Sequence, residues 1–411
     1  MNRRSNTGRL NTGRRVDVAV VGGGVVGAAC ALALSRQGLQ VTLVERHESA
    51  AWTRDAHDLR VYAFAPDNAA LLSALGVWDG IAAACAQPYR RMRVWDAAGG
   101  DELCFDADDV AVKQLGWIVE NALLQDRLWT ALRASDVVLR CPASVVALTQ
   151  DSDADPEGVA TLELDDGLRI EARIVIAADG GNSVLRDLAG IETRTSAYGQ
   201  QGVVAYIATE LPHEDTAWQR FLPTGPLAFL PCAPWPDAPN VSSIVWTLPD
   251  DEAARVVALD DDAFAEELTR AFAARLGACR PLTQRVAFPL RRQLAQTYVA
   301  GRVLAMGDAA HVVHPLAGQG VNLGLRDVAA LRDAVIAAQA RKADWAAPHR
   351  LARWARQRRS DATASAYAFG AINQVFSNDD LVTTLLRGHA LGLAGKIAPL
   401  NRALWRHAAG V

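Results

Sequence analysis

The sequence predicts a mixed α/β fold, in which a Rossmann-like domain is interleaved with a mainly antiparallel β-sheet domain and followed by a C-terminal helical region. Residues 16–21 form a β-branched run, 24–37 are rich in alanine and leucine, and 39–44 form a second apolar run. This order predicts a βαβ unit. From about 195 to 290, short β-type runs alternate with proline-rich turns, which predicts a separate sheet. The apolar run at 300–305 returns to the first pattern.

The turn after the first strand has the spacing Gly22-x-Gly24-x-x-Gly27. In dinucleotide-binding proteins the first glycine permits a tight turn, the second lets the backbone approach a pyrophosphate, and the third lets the helix pack on the strand. Glu45 ends the second strand, where a carboxylate accepts hydrogen bonds from ribose hydroxyls. The alternative is a glycine-rich turn that serves packing alone. The nucleotide contacts expected from this unit are Gly22, Gly24, Val25, Val26, Gly27, Glu45 and Arg46.

Two later segments repeat the pattern of a strand that ends in glycine and an acid. Asp179 follows the apolar run at 174–178, and Asp308 follows Gly307. Each segment alone is compatible with a helix cap or a glycine-rich loop. Together with the N-terminal turn they indicate FAD, held along its whole length in a domain of the glutathione-reductase type. Asp308 would bind the ribityl chain. The helix that Gly318, Gly320 and Asn322 begin would stabilise negative charge on the reduced ring.

Composition narrows the class of protein. Half of the 411 residues are hydrophobic, 21% are charged and the formal net charge is −4, which is ordinary for a soluble enzyme and does not favour nucleic acid as a partner. The six cysteines are scattered, without a C-x-x-C pair or a histidine at metal-ligand spacing. We therefore expect free thiols in a cytoplasmic, reducing compartment and no metal site.

The N-terminal segment has two interpretations. Five arginines within residues 1–15 precede an uncharged stretch at 18–35, as in a signal peptide or a membrane span. Asp17 and the glycines within the stretch favour a strand, a turn and a helix instead. We expect a disordered basic leader at 1–14 and no transmembrane helix.

The domain organisation that follows is discontinuous, because the chain leaves the nucleotide-binding domain and returns to it. The predicted segments are the leader at 1–14, an FAD-binding domain at 15–75, 110–190 and 296–345, a substrate-binding sheet domain at 76–109 and 191–295, and C-terminal helices at 346–411. In the sheet domain, an apolar slot for substrate or an ordinary sheet core would account for Phe221, Leu222, Pro223, Phe229, Leu230 and Pro231.

These motifs together carry a family resemblance. The glycine turn, Asp179-Gly180 and Gly307-Asp308 resemble the class A flavin-dependent aromatic hydroxylases, relatives of para-hydroxybenzoate hydroxylase. Asp58-Leu59-Arg60, Glu120-Asn121 and the run from His311 to Gly324 are similar to the ubiquinone-biosynthesis hydroxylases. The resemblance spans about residues 16–400, and the run from His311 is its most specific part.

The resemblance implies an activity. Enzymes of this class use NADH or NADPH to reduce FAD, and O2 then forms a flavin C4a-hydroperoxide that attacks an electron-rich phenol. The implied substrate is a polyprenylated phenol on the way to ubiquinone. A soluble hydroxylase of small aromatic compounds shares every FAD motif and remains an alternative. A non-catalytic flavin- or quinone-binding component of a biosynthetic complex is a further one.

The resemblance also implies roles for single residues. Arg60 should lie beside the flavin phosphates or ring, and Asn121 and Gln125 on the ribityl side. Asp179 should mark the segment between the flavin and the nicotinamide, and Pro315 should line the reactive face of the ring. Further expected contacts are Val145, Asp308 and the stretch Gly320, Val321 and Asn322.

Two histidines are candidates for proton transfer. His311 and His314 fall in the same loop, and histidine is the residue type whose ordinary pKa lies close to neutral pH. A structural role, with the ring donating to a backbone carbonyl, is the alternative for both.

The C-terminal residues 381–411 contain basic residues among leucines and no acid. Such a segment can lie on an anionic membrane, bind a ubiquinone-biosynthesis complex or pack on the protein itself. The expected location is therefore the cytoplasm, with peripheral contact to the inner membrane as a second state. A homo-oligomer is a further alternative.

Overall fold

The computed structural model describes residues 15–152, 155, 157–313 and 319–376. The expected leader at 1–14 and the C-terminal segment 381–411 lie outside these residues. Among the residues that are described, no helix has both the length and the apolar character needed to cross a bilayer.

The described residues form twenty strands, nine α-helices and two short 3-10 helices. The strands are β1 (Val16–Val21), β2 (Val41–Val44), β3 (Val61–Phe64), β4 (Ala86–Tyr89), β5 (Arg91–Asp96), β6 (Leu103–Asp106), β7 (Gly116–Glu120), β8 (Val138–Arg140), β9 (Val145–Gln150), β10 (Ala160–Leu164), β11 (Arg169–Ala177), β12 (Thr193–Thr209), β13 (Thr216–Leu222), β14 (Gly225–Cys232), β15 (Val241–Pro249), β16 (Cys279–Pro281), β17 (Val286–Ala295), β18 (Val299–Ala300), β19 (Val303–Ala305) and β20 (His311–Val312). The helices are α1 (Val25–Ser35), α2 (Pro66–Ala74), α3 (Trp78–Cys85), α4 (Asn121–Arg133), α5 (Val184–Leu188), α6 (Asp250–Val257), α7 (Asp261–Ala271), α8 (Gln319–Ala340) and α9 (Pro348–Phe376).

The first sheet contains the predicted βαβ unit. Its main path runs β18-β19-β11-β1-β2-β8, and β1 pairs in parallel with both β2 and β11. Val18, Ala19 and Val20 are fully buried because the central strand is covered on both faces, which is why it reads as a continuous apolar run. The expected strand at 300–305 is divided into β18 and β19, which pair antiparallel around Gly301.

The second sheet has nine strands in the order β20-β17-β12-β15-β14-β13-β5-β6, with β16 attached to β12. All its pairs are antiparallel except β13 with β5. The mixed α/β fold with a parallel and a mainly antiparallel sheet is therefore confirmed. Two strands of this sheet, β5 and β6, come from the segment before residue 110.

The segment from 195 to 290 also contains two helices, α6 and α7, that the alternation of strands and turns did not predict. The Asp260 side chain accepts a hydrogen bond from the Ala263 N–H (2.8 Å) and so begins α7, while three acidic residues occupy the first turn of α6. Acidic residues favour the start of a helix because they interact with its free N–H groups and dipole. These helices cover one face of the second sheet, where Phe264 and Phe272 join its core.

Candidate active site

The carboxyl ends of four parallel strands lie along one edge of the first sheet. Gly22 follows β1, Glu45 follows β2, Asp179 comes soon after β11, and Asp308 comes soon after β19. In open α/β sheets this edge is the one at which ligands bind. The three separate sequence segments are thus brought together by the parallel pairing of their strands.

A cavity of about 870 Å³ extends from this edge to the second sheet. It falls within the size range of pockets that bind small molecules and cofactors. The sequence-predicted residues on its wall are Gly22, Gly24, Val25, Val26, Glu45, Arg46, Arg60, Asn121, Gln125, Val145, Asp179, Asp308, Gly320 and Val321. His314, Pro315 and Gly318 lie outside the described residues.

The glycines of the first turn differ in what surrounds them. Gly22 has φ +106°, and a Cβ there would overlap the Ala178 carbonyl. A Cβ on Gly27 would overlap the Gly22 carbonyl oxygen, so Gly27 serves the close contact of α1 with the turn and lies off the cavity wall. At Gly24 the nearest atom to such a Cβ is Gln125 Nε2 at 3.9 Å, which leaves the space over the helix N-terminus open to a ligand.

Glu45 is held by the backbone around it. One carboxylate oxygen accepts a hydrogen bond from the Gly23 N–H (2.5 Å), and the other accepts from the N–H groups of Arg46 (2.7 Å) and His47 (3.1 Å). The indole of Trp129 donates to the Gly23 carbonyl (2.8 Å) and fixes the same turn from behind. Trp129 was not predicted, because it comes from α4, about a hundred positions further along the chain.

A second cluster surrounds Arg60. Asp58 accepts hydrogen bonds from the Arg60 N–H (2.9 Å) and from the Ala122 N–H at the start of α4 (2.9 Å). The Tyr62 hydroxyl donates to the Asn121 side-chain oxygen (3.2 Å). Burial raises the pKa of Tyr62, and the neighbouring Arg60 partly opposes the rise. Tyr62 therefore stays neutral beside two predicted cofactor residues, and it is one that the sequence reasoning missed.

Asp179 and Asp308 have different surroundings. Asp179 accepts hydrogen bonds from the Ser183 hydroxyl and from the Leu185 N–H (3.2 Å), so its carboxylate also caps α5. Asp308 faces the open cavity. The protein packed around it raises the pKa of its carboxyl by desolvation, while the charges of His311, Arg60 and Arg291 act in the opposite direction.

Two predicted site residues lie in the core instead of on the cavity wall. His311 is completely buried, and its Nε2 lies 2.7 Å from an oxygen of Asp327. Asn322 is also completely buried, where its side chain accepts from the Ala65 N–H (3.0 Å) and donates to the Ala63 carbonyl (2.8 Å). These contacts of the His311 ring and of the Asn322 side chain are to the protein itself, while proton transfer by His311 and a flavin contact of Asn322 stay predictions.

The comparisons agree with this geometry. Residues 15–367 match the family model described as FAD binding domain. The chain is 38% identical over 405 residues to 3-demethoxyubiquinol 3-hydroxylase of Escherichia coli, covering 97% of this chain and 100% of that one. It is 38% identical over 396 residues to ubiquinone hydroxylase UbiL of Rhodospirillum rubrum, covering 96% and 89%. Among solved structures, p-nitrophenol 4-monooxygenase PnpA of Pseudomonas putida shares the fold, with a TM-score of 0.74, 20% identity and coverage of 95% and 97%.

The chain belongs to the ubiquinone-biosynthesis hydroxylases. The resemblance predicted from the sequence is thereby confirmed, and the protein is an FAD-dependent monooxygenase.

FAD fits the residues along the polar half of the cavity. A Cβ on Gly24, Gly180 or Gly320 would meet no protein atom closer than 3.9 Å, so these backbones can approach a ligand. Glu45 offers a fixed acceptor for ribose hydroxyls, and the N-terminus of α1 offers free N–H groups for phosphates. Among the described residues, no three His, Cys, Asp or Glu side chains lie together in a way that could hold a metal ion.

The other half of this hydroxylase cavity is the inner face of the second sheet. The small and apolar residues of this wall include Gly202, Val204, Ala217, Pro226, Ala228, Leu230 and Val245. The same sheet also places Gln219, Thr247 and the charged Arg291 of β17 on the wall. Alternate residues of the same strands, such as Val203, Phe229 and Ile244, face the core under α6 and α7. Of the residues predicted for an apolar slot, Leu230 lines the cavity, whereas Phe229 lies on the opposite face. The strand period of two explains why neighbours are divided in this way.

Proposed function

We propose that this protein hydroxylates the aromatic ring of a polyprenylated phenol in ubiquinone biosynthesis. The observation that carries the proposal is the continuity of one cavity, with nucleotide-binding turns at one end and an apolar sheet face at the other. Of the described residues of β12–β15, those on the cavity wall carry no charge, and Gln219 and Thr247 are the polar ones. Such a face suits an apolar chain better than a charged aromatic acid.

The chain's own residues would do three things in this reaction. The α1 N-terminus, Glu45 and Asp308 would hold the cofactor along the sheet edge, and bound FAD, once reduced, supplies the activation of O2. The apolar sheet face would hold the ring and its prenyl chain against that edge. Covering the site with the second sheet would exclude water, which limits unproductive release of peroxide.

NADH or NADPH is the proposed electron donor. The sequence has no second Gly-x-Gly-x-x-Gly turn, so the nicotinamide would bind without a Rossmann unit of its own. Single-turnover reduction of the bound flavin by each nucleotide, followed by its absorbance, distinguishes the two. Failure of both to reduce it would require a separate reductase.

The pathway is tested by mass spectrometry of quinone lipids from a strain that lacks this protein. We expect a prenylated phenol that is one oxygen short to accumulate, and its substitution pattern would identify the ring carbon. Expression of the wild-type chain should restore ubiquinone, and expression of Gly24→Val, which fills the open space over the α1 N-terminus, should not. A normal lipid profile in the deletion strain would contradict the assignment to this pathway, provided that no second hydroxylase is encoded.

We further propose that residues 381–411 bring the enzyme to the membrane surface that holds a prenylated substrate. The proposal rests on the basic residues that alternate with leucines in this segment. Sedimentation with anionic lipid vesicles should retain the full chain and lose a chain ending at residue 380. Equal retention of the two chains would contradict the proposal. Vesicles of neutral lipid are the control that shows whether binding depends on the negative charge of the membrane.

A further inference from the structure

A buried ionic cluster adjoins the Gly307–Asp308 turn, and its members Asp327, His311 and Arg358 are not on the cavity wall. Its centre is Asp327 on α8, which is completely buried. One of its carboxylate oxygens accepts a hydrogen bond from the Gly307 N–H (3.1 Å) and lies 2.7 Å from His311 Nε2. The other accepts from Arg358 Nε (2.8 Å). A single side chain therefore joins the Gly307 turn, β20 and α9.

The Gly307 end of this cluster adjoins the cavity wall that is expected to hold FAD. Gly307 has φ +59° and packs on Val26 of α1, so its conformation is set by close surroundings. The next residue, Asp308, faces the cavity. Any shift of the Gly307 N–H would therefore move the Asp308 carboxylate relative to a bound cofactor.

The Arg358 end belongs to α9. The Arg358 guanidinium also donates to Asp361 (2.6 Å), and the Trp354 indole donates to the Asp327 carbonyl (3.2 Å). Arg358 lines a separate groove between α8 and α9, away from the cavity that holds the predicted FAD residues. Two contacts from one helix thus converge on Asp327.

The charge state of the cluster follows from its contacts. Burial alone would raise the pKa of Asp327, but the charge and hydrogen bond of His311, and then those of Arg358, hold it below its ordinary range. Asp327 is therefore an anion within the core. A buried ion pair is weak evidence for stability, because desolvation offsets much of the attraction. Fixing the relative positions of the Gly307 turn and α9 accounts better for these buried charges than a gain in stability does.

We propose that Asp327 is a positioning residue, which fastens the Gly307–Asp308 turn to α9 through Arg358 so that α9 determines how tightly FAD is held. The inference rests on FAD binding along the cavity. His311 takes part as a second donor to the same carboxylate, which gives this histidine a positional role in place of proton transfer.

Arg358→Met tests the proposal, because Arg358 is remote from the cavity. We expect the dissociation constant for FAD, measured by flavin fluorescence, to rise at least about tenfold. The turnover number should recover at saturating FAD, since the reacting atoms are unaffected. Arg356→Met is the matched control: Arg356 is exposed on the same helix, and its loss should leave the dissociation constant within about twofold.

A second variant guards against misfolding. Arg358→Met leaves Asp327 short of one partner, so the apoprotein could fail to fold. The double variant Asp327→Asn with Arg358→Met removes both charges, and it should also bind FAD at least about tenfold more weakly while its apoprotein keeps a native circular dichroism spectrum. An unchanged dissociation constant in either folded variant overturns the positioning role. If the wild-type chain itself did not bind FAD, the proposed function would be overturned instead.

Discussion

At the scale of the residue, the site depends on which atoms surround each glycine and each carboxylate. Gly22, Glu45 and Asp308 were predictable because each is set by its own strand end and the turn that follows. Tyr62 and Trp129 were not, because their contacts join segments that are distant in sequence. His311 was placed in the site by its position in a motif, and no local pattern reveals that its ring turns inward to Asp327.

Two glycines of the same turn should respond differently to the same change. Gly27→Ala should lower the stability of the apoprotein by about 1–3 kcal/mol, because the Cβ overlaps the Gly22 carbonyl oxygen. Gly24→Ala should leave apoprotein stability within about 0.5 kcal/mol, because its Cβ enters open space. Gly24→Ala should nevertheless weaken FAD binding, because the space that its Cβ enters is where a pyrophosphate would lie. Urea unfolding and FAD titration measure the two effects.

The opposite pattern would contradict this division of roles. If Gly24→Ala unfolded the apoprotein, or bound FAD as the wild type does, the space over the α1 N-terminus would not be a phosphate site.

At the scale of the element, each strand of the second sheet separates a core face from a cavity face. The alternation of these faces was visible in part of the sequence, but which face meets the substrate depends on α6 and α7. Because those helices were not predicted, an apolar slot and a sheet core stayed open for Phe229 and Leu230 alike. Phe229 is buried under the helices and Leu230 lines the cavity, so each interpretation holds for one of the two.

Neighbouring residues of β14 provide a matched pair. Ala228→Phe should raise the KM for a prenylated phenol by about tenfold or more, because the larger ring occupies the cavity, while the melting temperature changes little. Phe229→Ala should cost about 3–5 kcal/mol of stability, because it empties a fully buried site stacked on Phe272. Steady-state kinetics and thermal unfolding distinguish the two. An unaltered KM in Ala228→Phe would place the substrate elsewhere.

Strand β7 ends in a carboxylate with an unusual environment. Glu120 accepts hydrogen bonds from the Trp52 indole (2.7 Å) and the Tyr206 hydroxyl (3.1 Å). The second of these bonds joins the small sheet of β3, β7 and β4 to β12 of the second sheet. Burial raises the pKa of Glu120, and these two bonds and His57 partly oppose the rise. With a raised pKa in the folded state, its contribution to stability is complete below the ordinary carboxyl range. The contribution is lost as the pH rises through the folded-state value.

Glu120→Gln should therefore make stability less dependent on pH. The amide stays neutral and its oxygen still accepts a hydrogen bond, so the loss of unfolding free energy between about pH 5 and about pH 8 should be smaller than in the wild type. Urea unfolding at both pH values measures this difference in unfolding free energy. Glu48→Gln is the control, since the Glu48 side chain is largely exposed. A wild-type pH slope in Glu120→Gln would rule out this carboxyl as its source.

At the scale of the whole molecule, interleaving of the two sheets creates the cavity. The sequence reasoning predicted the chain's departure from the first sheet and its return, because β-branched runs followed by glycine and an acid occur on both sides of the inserted region. It assigned residues 76–109, which contain β5 and β6, to the sheet domain, but it did not predict that β5 pairs in parallel with β13, more than a hundred residues further along the chain. Long-range pairing leaves no local signature in a sequence.

The central claim is that one cavity brings FAD and a prenylated phenol together for hydroxylation. The most direct test is mass spectrometry of the product formed by purified, FAD-loaded protein from a prenylated phenol and a reduced nicotinamide under isotopically heavy O2. We expect a ring-hydroxylated product that carries one heavy oxygen atom and that forms more slowly with Ala228→Phe when the phenol is limiting. Consumption of the nicotinamide with release of peroxide, and no labelled product from prenylated phenols, would contradict it.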